Sequence, residues 1–183
     1  MDSKNSNEKT QWFVMRDLKR VNAKLPAYKQ LENKVFKVFT PLKQDLVVKQ
    51  GRKKVREARP VIPDLLFVHD TRLVLDPIVE KIPTLQYRYL RNTYREPMTV
   101  PEDDMERFIQ AVGASESSQY YLPEEITPKM YGRKIRIIDG PLKGYEGNLL
   151  STRGSKVKRL LVELPNILSI SVEINPEFIQ FVK

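Results

Sequence analysis

The sequence predicts an α+β protein in two parts, an N-terminal antiparallel sheet with packed helices followed by a small all-β barrel. Three observations predict this fold class. Before Gly113, β-branched and aromatic runs alternate with segments of helical apolar spacing. From Lys129 onward, short strand-like runs are separated by turn residues and show no helical period. The 183 residues include 40% hydrophobic residues, which is enough apolar material for a buried core.

The first part contains several strand-like runs and two early helical segments. The predicted helices are Asn22–Asn33, with a proline in its first turn, and Leu73–Lys81, broken by Pro77. Leu65–His69 is the strongest apolar run and is predicted to be a central strand. The other predicted strands are Gln11–Arg16, Val35–Thr40, Asp45–Gln50, Val55–Val61 and Gln86–Leu90. Gly51–Lys54 lies between two of these strands and predicts a hairpin with a basic tip.

A third helix is predicted to start at Pro101. Proline suits the first helical position, and Glu102, Asp103 and Asp104 complement the positive end of the helix dipole. These carboxylates therefore need no catalytic or cation-binding role. Gly113 is typical of the position that follows a helix.

Charge and composition divide the chain. The net charge is +9 overall: +10 over residues 1–100, −6 over 101–128 and +5 over 129–183. The stretch from Gly113 to Pro128 is polar, serine-rich and interrupted by prolines, which is typical of a linker. We therefore predict a polar tail (1–10), a first domain (11–113), an acidic, serine-rich linker (114–128) and a second domain (129–183). The basic balance favours a polyanionic partner, nucleic acid before an anionic membrane.

The second domain is predicted to consist of short strands only. These strands are Lys134–Ile138, Asn148–Ser151, Arg159–Leu164, Ile170–Ile174 and Phe178–Val182. Five short strands with turn signals between them predict a small SH3-like barrel.

Several function classes are excluded or disfavoured by composition. The chain has no cysteine, so a disulfide framework or a thiolate metal site is excluded. His69 is the only histidine and closes an apolar strand, which favours a structural role. Gly140–Gly147 lacks the Gly-Lys-Ser/Thr of a phosphate-binding loop. We expect no enzymatic activity, no cofactor and no metal. No apolar run approaches the about 18 residues of a membrane span, and the polar N-terminus predicts a cytoplasmic protein.

Two motifs resemble a known family. The segment Gly132–Leu150 resembles a KOW motif; it reads Gly-Arg-Lys-Ile-Arg-Ile-Ile-Asp-Gly-Pro-Leu-Lys-Gly-Tyr-Glu-Gly-Asn-Leu-Leu. In this motif we expect Gly140 to take a positive φ and Gly147 to let the chain bend. Four segments of the first part follow the order and spacing of a NusG N-terminal domain: Trp12–Met15, Phe36–Pro41, the basic hairpin and Ile62–Val68. The resemblance to the NusG family covers the chain from about Gln11 to its end.

One departure from the family pattern stands at a turn. Ile62-Pro63-Asp64-Leu65 replaces the Phe-Pro-Gly-Tyr that the family often carries, and aspartate is among the residues a turn tolerates. The polar tail and the divergent core resemble specialised paralogues of the UpxY and RfaH type, which implies operon-specific action on surface-polysaccharide operons.

The resemblance implies that an apolar depression grips the clamp helices of bacterial RNA polymerase beside the upstream DNA fork, which suppresses pausing or termination. The residues carried over to this depression are Phe13, Met15, Pro63, Leu65 and Phe67. We expect an exposed patch centred on Leu65 and Phe67; the alternative is that all five are simply core.

The resemblance also implies contacts with non-template DNA around the first helix. The candidates are Lys19, Arg20, Lys24, Tyr28 and Lys29, with Tyr28 as a stacking platform. The alternative is a solvated helix face with Tyr28 packed in the core. Arg52, Lys53 and Lys54 of the hairpin would contact DNA or polymerase, or would only protect a strand edge from aggregation.

The KOW resemblance implies a protein partner for the second domain, either a small ribosomal protein or the termination factor Rho. Leu142 and Tyr145 are the candidate contacts, although Tyr145 could instead cap the barrel. We expect a monomeric elongation or antitermination factor. Two alternatives remain open: an RNA- or ribosome-binding KOW protein, and a general DNA-coating protein with steep salt dependence.

Overall fold

The computed structural model describes residues 9–19, 25–32, 34, 36–49, 53–115, 117–151 and 154–182. The chain divides into two compact units, Met1–Pro101 and Glu102–Lys183. Each unit carries its own antiparallel sheet.

The first unit alternates strands and helices in the predicted order. Its elements are β1 (Gln11–Asp17), α1 (Ala27–Glu32), β2 (Lys37–Phe39), β3 (Leu42–Lys49), β4 (Lys53–Pro60), β5 (Leu65–Asp70), α2 (Arg72–Lys81), β6 (Leu85–Tyr87) and β7 (Thr99–Val100). The main sheet has the order β2-β5-β1-β6, with β7 also paired to β1. The prediction that Leu65–His69 forms a central strand is confirmed, because β5 lies between β2 and β1.

One face of this sheet carries the core of the first unit. Because neighbouring strand residues alternate between faces, Phe13 and Met15 of β1 share a face with Leu66 and Val68 of β5. Both helices pack onto this face, where α1 contributes Ala27 and Leu31 and α2 contributes Leu75.

Helix α1 is fixed at its start by an aspartate from the sheet. Asp17 is buried, and its two carboxylate oxygens accept the backbone N–H groups of Lys19 and Ala27. The N–H of Ala27 belongs to the first helical turn, which has no partner inside the helix. Asp17 therefore satisfies the helix start although it lies ten residues earlier in the chain.

The prediction that Pro77 breaks the second helix is wrong, since α2 runs continuously from Arg72 to Lys81. Proline removes one backbone donor from a helix interior. Side chains anchored beside it hold the helix in place: Leu75 is buried, and Asp76 accepts hydrogen bonds from Arg72 and from the Tyr87 hydroxyl.

Strands β3 and β4 form a separate two-stranded sheet, the hairpin. They pair in continuous register from Leu42 opposite Pro60 to Lys49 opposite Lys53. The predicted hairpin is confirmed, and its strands are longer than the sequence pattern indicated.

The second unit consists of one helix and one large sheet. Its elements are α3 (Glu102–Ala114), β8 (Gln119–Tyr121), β9 (Tyr131–Ile137), β10 (Glu146–Leu150), β11 (Arg159–Leu164), β12 (Leu168–Glu173) and β13 (Ile179–Phe181). Three single-turn 3₁₀ helices lie at Pro123–Glu125, Pro128–Met130 and Pro176–Phe178.

The second sheet does not close into the predicted barrel. Its order is β13-β9-β10-β11-β12-β8, and within the described residues the edge strands β13 and β8 do not pair with each other. Strand β8 comes from the predicted linker and pairs with β12 through Tyr121, Tyr120 and Gln119. It thereby occupies the edge of β12 that closure of a barrel would use.

The predicted domain boundary also differs from the observed division. Helix α3 was expected to end the first domain, yet it belongs to the second unit, where it packs on β11 and β12. Its buried side chains are Met105, Phe108 and Ala111. The division therefore falls at Pro101 instead of Gly113, and part of the expected linker is a strand.

Candidate functional site

The two predicted polymerase contacts on β1 are core residues. Phe13 and Met15 are fully buried on the helix-covered face of the first sheet. Phe13 packs edge-on against Tyr87, with ring centroids 5.5 Å apart.

Leu65 and Phe67 lie on the opposite face of the same sheet. Leu65 pairs with Arg16 and Phe67 pairs with Val14, and both members of a pair lie on one face. Leu65 is only 3% exposed and Phe67 is fully buried. The expected exposed patch centred on these two residues is therefore absent, because the alternation of β1 and β5 divides the candidates between two packed faces.

Of the five candidates, Pro63 is accessible. It lies in the turn before β5, where the Leu65 N–H donates to the Ile62 carbonyl at 3.2 Å. Asp64 in the same turn forms an ion pair with Arg16 at 2.8 Å, and its carbonyl accepts the Asp17 N–H. Asp64 thus joins this turn to the end of β1.

Apolar side chains are exposed instead along one face of the hairpin. Leu46 is 66% exposed and Val48 is 63% exposed, and they pair with Arg56 and Lys54 respectively. Both basic residues are exposed as well. The sequence pattern indicated the basic tip of the hairpin but not Leu46 and Val48. The signal for them is their alternation along β3 with Asp45 and Val47, which puts both on one face.

The two hairpin faces differ in how their charges are paired. On the face opposite Leu46, Lys43 lies 3.8 Å from Asp45 and Arg59 lies 3.6 Å from Glu57. The Leu46 face combines apolar side chains with basic ones and carries no acidic residue in its described register. Of the predicted tip, Lys54 is exposed, Arg52 lies outside the described residues and the Lys53 side chain is not described.

The predicted DNA contacts near the first helix are only partly brought together. The Lys19 ammonium donates to the Leu25 carbonyl at 3.2 Å, so it is already engaged within the unit. Tyr28 is half-buried and packs against the core, while the ammonium of exposed Lys29 lies 5.9 Å from the Tyr28 ring centroid. Arg20 and Lys24 lie outside the described residues.

The glycine-rich turn of the second unit has the expected backbone. Gly140 has φ +83°, as expected for a tight turn. At Gly147 a Cβ atom would stand 2.8 Å from the Tyr145 ring and 3.0 Å from Leu160, so the chain approaches its neighbours too closely for a side chain. Leu142 inside this turn is buried.

Tyr145 is packed between the turn and the helix. It is half-buried, and the Arg107 guanidinium of α3 lies 5.7 Å from its ring centroid. Burial raises the pKa of the Tyr145 phenol to about 12, although the nearby Arg107 acts in the opposite direction. Both predicted partner contacts therefore contribute to packing of the second unit, and Tyr145 keeps only part of its surface accessible.

The raised pKa of Tyr145 predicts a pH dependence of stability. Above pH 10 an unfolded phenol loses its proton while the folded one keeps it. Stabilisation is therefore complete below pH 10 and is lost as the pH rises toward about 12. We expect Tyr145→Phe to flatten the fall of unfolding free energy across this window, measured by urea denaturation at several pH values. An unchanged pH slope in the variant would contradict the assignment.

Neither a metal centre nor a membrane segment is found in the described part of the chain. No cluster of three or more His, Asp or Glu side chains there is arranged to hold a metal ion. None of its helices combines the length and apolar character needed to cross a bilayer.

The chain is similar to known proteins both in sequence and in fold. A protein-family model described as "Transcription termination factor nusG" matches residues 10–109, which is more than half of the chain. Among solved structures, NusG of Thermotoga maritima, solved in a study of domain interaction, is similar with a TM-score of 0.51 and 15% identity. That similarity covers 96% of this chain and 98% of the other, and at this identity it concerns the fold alone. No curated protein matches the sequence.

Proposed function

Because this chain belongs to the NusG family of transcription factors, we propose that it grips the RNA polymerase clamp and contacts DNA at the upstream fork. Members of the family are non-enzymatic elongation and antitermination factors that bind RNA polymerase. The observation that carries the proposal is the family match, which spans the described first unit from Thr10 onward. In this proposal the protein acts in the cytoplasm and suppresses pausing or termination.

The polymerase contact is proposed at the end of the first sheet, around the exposed turn at Pro63. The other four candidate side chains are buried, so they would support this surface by packing inside the fold: Phe13, Met15, Leu65 and Phe67. The Arg16–Asp64 ion pair holds the turn against β1. An exposed proline on a turn fixed in this way is a contact that needs little ordering on binding.

The DNA contact is proposed on the hairpin and the first helix. Lys54, Arg56 and Lys29 are exposed basic side chains suited to phosphate neutralisation. Leu46 and Val48 lie beside the hairpin pair and would add apolar contact with polymerase or with bases.

The second unit is proposed to be a KOW module that binds a ribosomal protein or Rho. Gly140 in its turn and the close packing at Gly147 support the motif. The contact would use the accessible part of Tyr145 and the backbone around buried Leu142. Operon-specific action of the UpxY or RfaH type is proposed from the polar N-terminal tail and the divergent core, which includes the replaced turn residues from Ile62 to Leu65.

An alternative function is binding of RNA or the ribosome through the second unit. The observation that favours it is the Arg133 guanidinium, 3.9 Å from the ring centroid of half-exposed Phe181. Cationic and aromatic groups of this kind suit stacking on nucleic acid bases.

The test is a binding titration of the full chain against purified bacterial core RNA polymerase. We expect saturable binding, weakened roughly tenfold or more by Pro63→Asp, since a central interface residue can contribute this much. The matched control is Pro83→Asp, an exposed proline in another turn of the same unit. Absence of binding by the wild-type chain would overturn the polymerase proposal and favour the ribosome or structured RNA. Equal losses in both variants would remove Pro63 from the contact.

A further inference from the structure

Residues 88–97 form a closed loop, here called the finger, between β6 and β7. The Met98 N–H donates to the Arg88 carbonyl at 2.7 Å, and the Leu90 N–H donates to the Glu96 carbonyl at 2.9 Å. Tyr89 and Pro97 form an antiparallel bridge between these bonds. The finger is thus a hydrogen-bonded projection with a defined base.

The finger exposes aromatic surface that the fold does not use. Tyr94 is 90% exposed, whereas Tyr89 is 45% exposed and its ring centroid lies 6.3 Å from that of the core residue Tyr87. Large side chains normally contribute to stability by leaving water, so a nearly fully exposed tyrosine at the tip of a loop gives the folded chain almost nothing. An interaction with a ligand would account for this exposure.

Arginines stand on both sides of the exposed tyrosine. Arg91 and Arg95 are exposed, and the Arg95 guanidinium lies 5.8 Å from the Tyr94 ring centroid. Glu96 is the one acidic residue in the finger, against three arginines including Arg88. The finger therefore carries net positive charge next to its aromatic tip.

The backbone of the finger holds an unfavourable conformation at the same place. Arg95 has φ +48° and Asn92 has φ +63°. Asparagine adopts this left-handed region readily, but arginine does so at a cost in free energy. Such conformations cluster at ligand-binding sites, where the surrounding structure enforces them.

The finger lies away from the DNA contacts proposed above. Strand β6 runs antiparallel to β1 from Asp17 toward Met15, and the Arg88 N–H donates to the Val14 carbonyl. The chain therefore leaves β6 toward the start of β1, whereas Asp17 and the start of α1 lie at its other end. The finger is a separate surface of the first unit.

We propose that the finger binds single-stranded nucleic acid, with a base stacked on Tyr94 and phosphates neutralised by Arg91 and Arg95. Every base offers a flat face to an aromatic ring, and each arginine that neutralises a phosphate releases a counterion. A protein partner fits less well, because exposed arginines flank Tyr94 in the chain and the finger carries net positive charge. The site requires neither polymerase nor the hairpin, so it stands independently of the proposed function.

The test is fluorescence anisotropy of labelled 12-nucleotide oligomers with the full chain, in parallel DNA, RNA and duplex DNA arms. We expect Tyr94→Ala to weaken single-strand binding about 5- to 150-fold, the range for loss of one base stack. Tyr94→Phe keeps the ring and should bind as wild type. Arg91→Ala should reduce the slope of log affinity against log salt by about 0.7. The relative affinities of the DNA and RNA arms then identify which strand the site takes.

Matched controls come from α2 in the same unit. Leu73→Ala removes an exposed apolar side chain and Lys81→Ala removes an exposed charge. Both should leave binding within twofold of wild type. Melting curves of each variant check that the fold is intact, as expected for surface changes.

The proposal would be overturned by absence of single-strand binding by the wild type, by Tyr94→Ala binding within twofold of wild type in both single-strand arms, or by an equal loss in Leu73→Ala. The proposal would also be contradicted if the wild type bound duplex DNA as tightly as single strands and if Tyr94→Ala left that binding unchanged. The polymerase titration separates the two proposals, because oligomer binding can survive when polymerase binding fails, and the reverse.

Discussion

Leu65→Asp is expected to unfold the first unit, with a loss of more than about 4 kcal/mol in its free energy of unfolding. Leu65 is 3% exposed and pairs with Arg16 at the start of β5, a strand that lies between β2 and β1. Removing a buried leucine costs about 2–5 kcal/mol, and a buried carboxylate adds a further desolvation penalty. The cross-strand neighbour Arg16 offsets this penalty only in part, because it is already paired with Asp64. The sum approaches the whole stability of a small domain.

Trp12 makes this unfolding directly measurable. It is the only tryptophan, lies on β1 and is 1% exposed. Its fluorescence in a urea titration therefore reports the first unit. The control is Leu73→Asp on α2, where the side chain is 60% exposed and the expected change is within about 0.5 kcal/mol. A wild-type midpoint for Leu65→Asp would place Leu65 on an accessible face after all.

Leu65→Asp is therefore unsuited to testing the polymerase contact. A Leu65→Asp variant that fails to bind polymerase would report a lost fold and not a lost contact. Pro63 is accessible and lies two residues earlier in the same turn. Its substitution therefore tests the surface while the sheet beneath it stays folded.

Gly132→Ala is expected to destabilise the second unit by about 1–3 kcal/mol, the usual cost of overpacking. A Cβ atom at Gly132 would stand 2.7 Å from the backbone oxygen of Leu149. A backbone oxygen in a paired strand cannot rotate away, so β9 and β10 would have to separate locally. Amide hydrogen exchange of β9 and β10 measures this, while the Trp12 transition should be little changed.

Gly113→Ala is the matched control for Gly132→Ala. Gly113 lies in α3, and a Cβ atom there would meet nothing within 4 Å. Alanine is favoured over glycine in a helix, so this variant is expected to stabilise α3 by about 0.5–1 kcal/mol. Equal destabilisation by both substitutions would show that loss of glycine flexibility matters more than the contact with Leu149.

Helix α3 illustrates a difference between a family's sequence boundary and a compact unit. The family match ends at residue 109, inside α3, whereas the compact first unit ends at Pro101. The proline and the acidic first turn predicted this helix and placed its start within one residue, at Pro101 where α3 begins at Glu102. Its partner strands, β11 and β12, lie much later in the chain and leave no trace in the local pattern.

The sequence by itself determined the order of the longer elements, and among the described strands it missed only the short β7 and β8. Periodicity found β1, β5 and β11 nearly to the residue, because strand and helix periods are local properties of the chain. The resemblance of the N-terminal segment indicated the family, which the match over residues 10–109 confirmed. The positive φ of Gly140 also followed from its turn alone.

Only the tertiary structure decided which face each side chain occupies and what covers it. Alternation placed Leu65 and Phe67 on one side of the first sheet, but a pattern with apolar residues on both sides cannot tell a packed face from an exposed one. The edge of β12 is taken by β8, a strand too short and polar to be predicted, and this leaves the second sheet open. The exposure of Leu46 and Tyr94 likewise depends on the absence of neighbours, which is a property of the folded chain and not of any local segment.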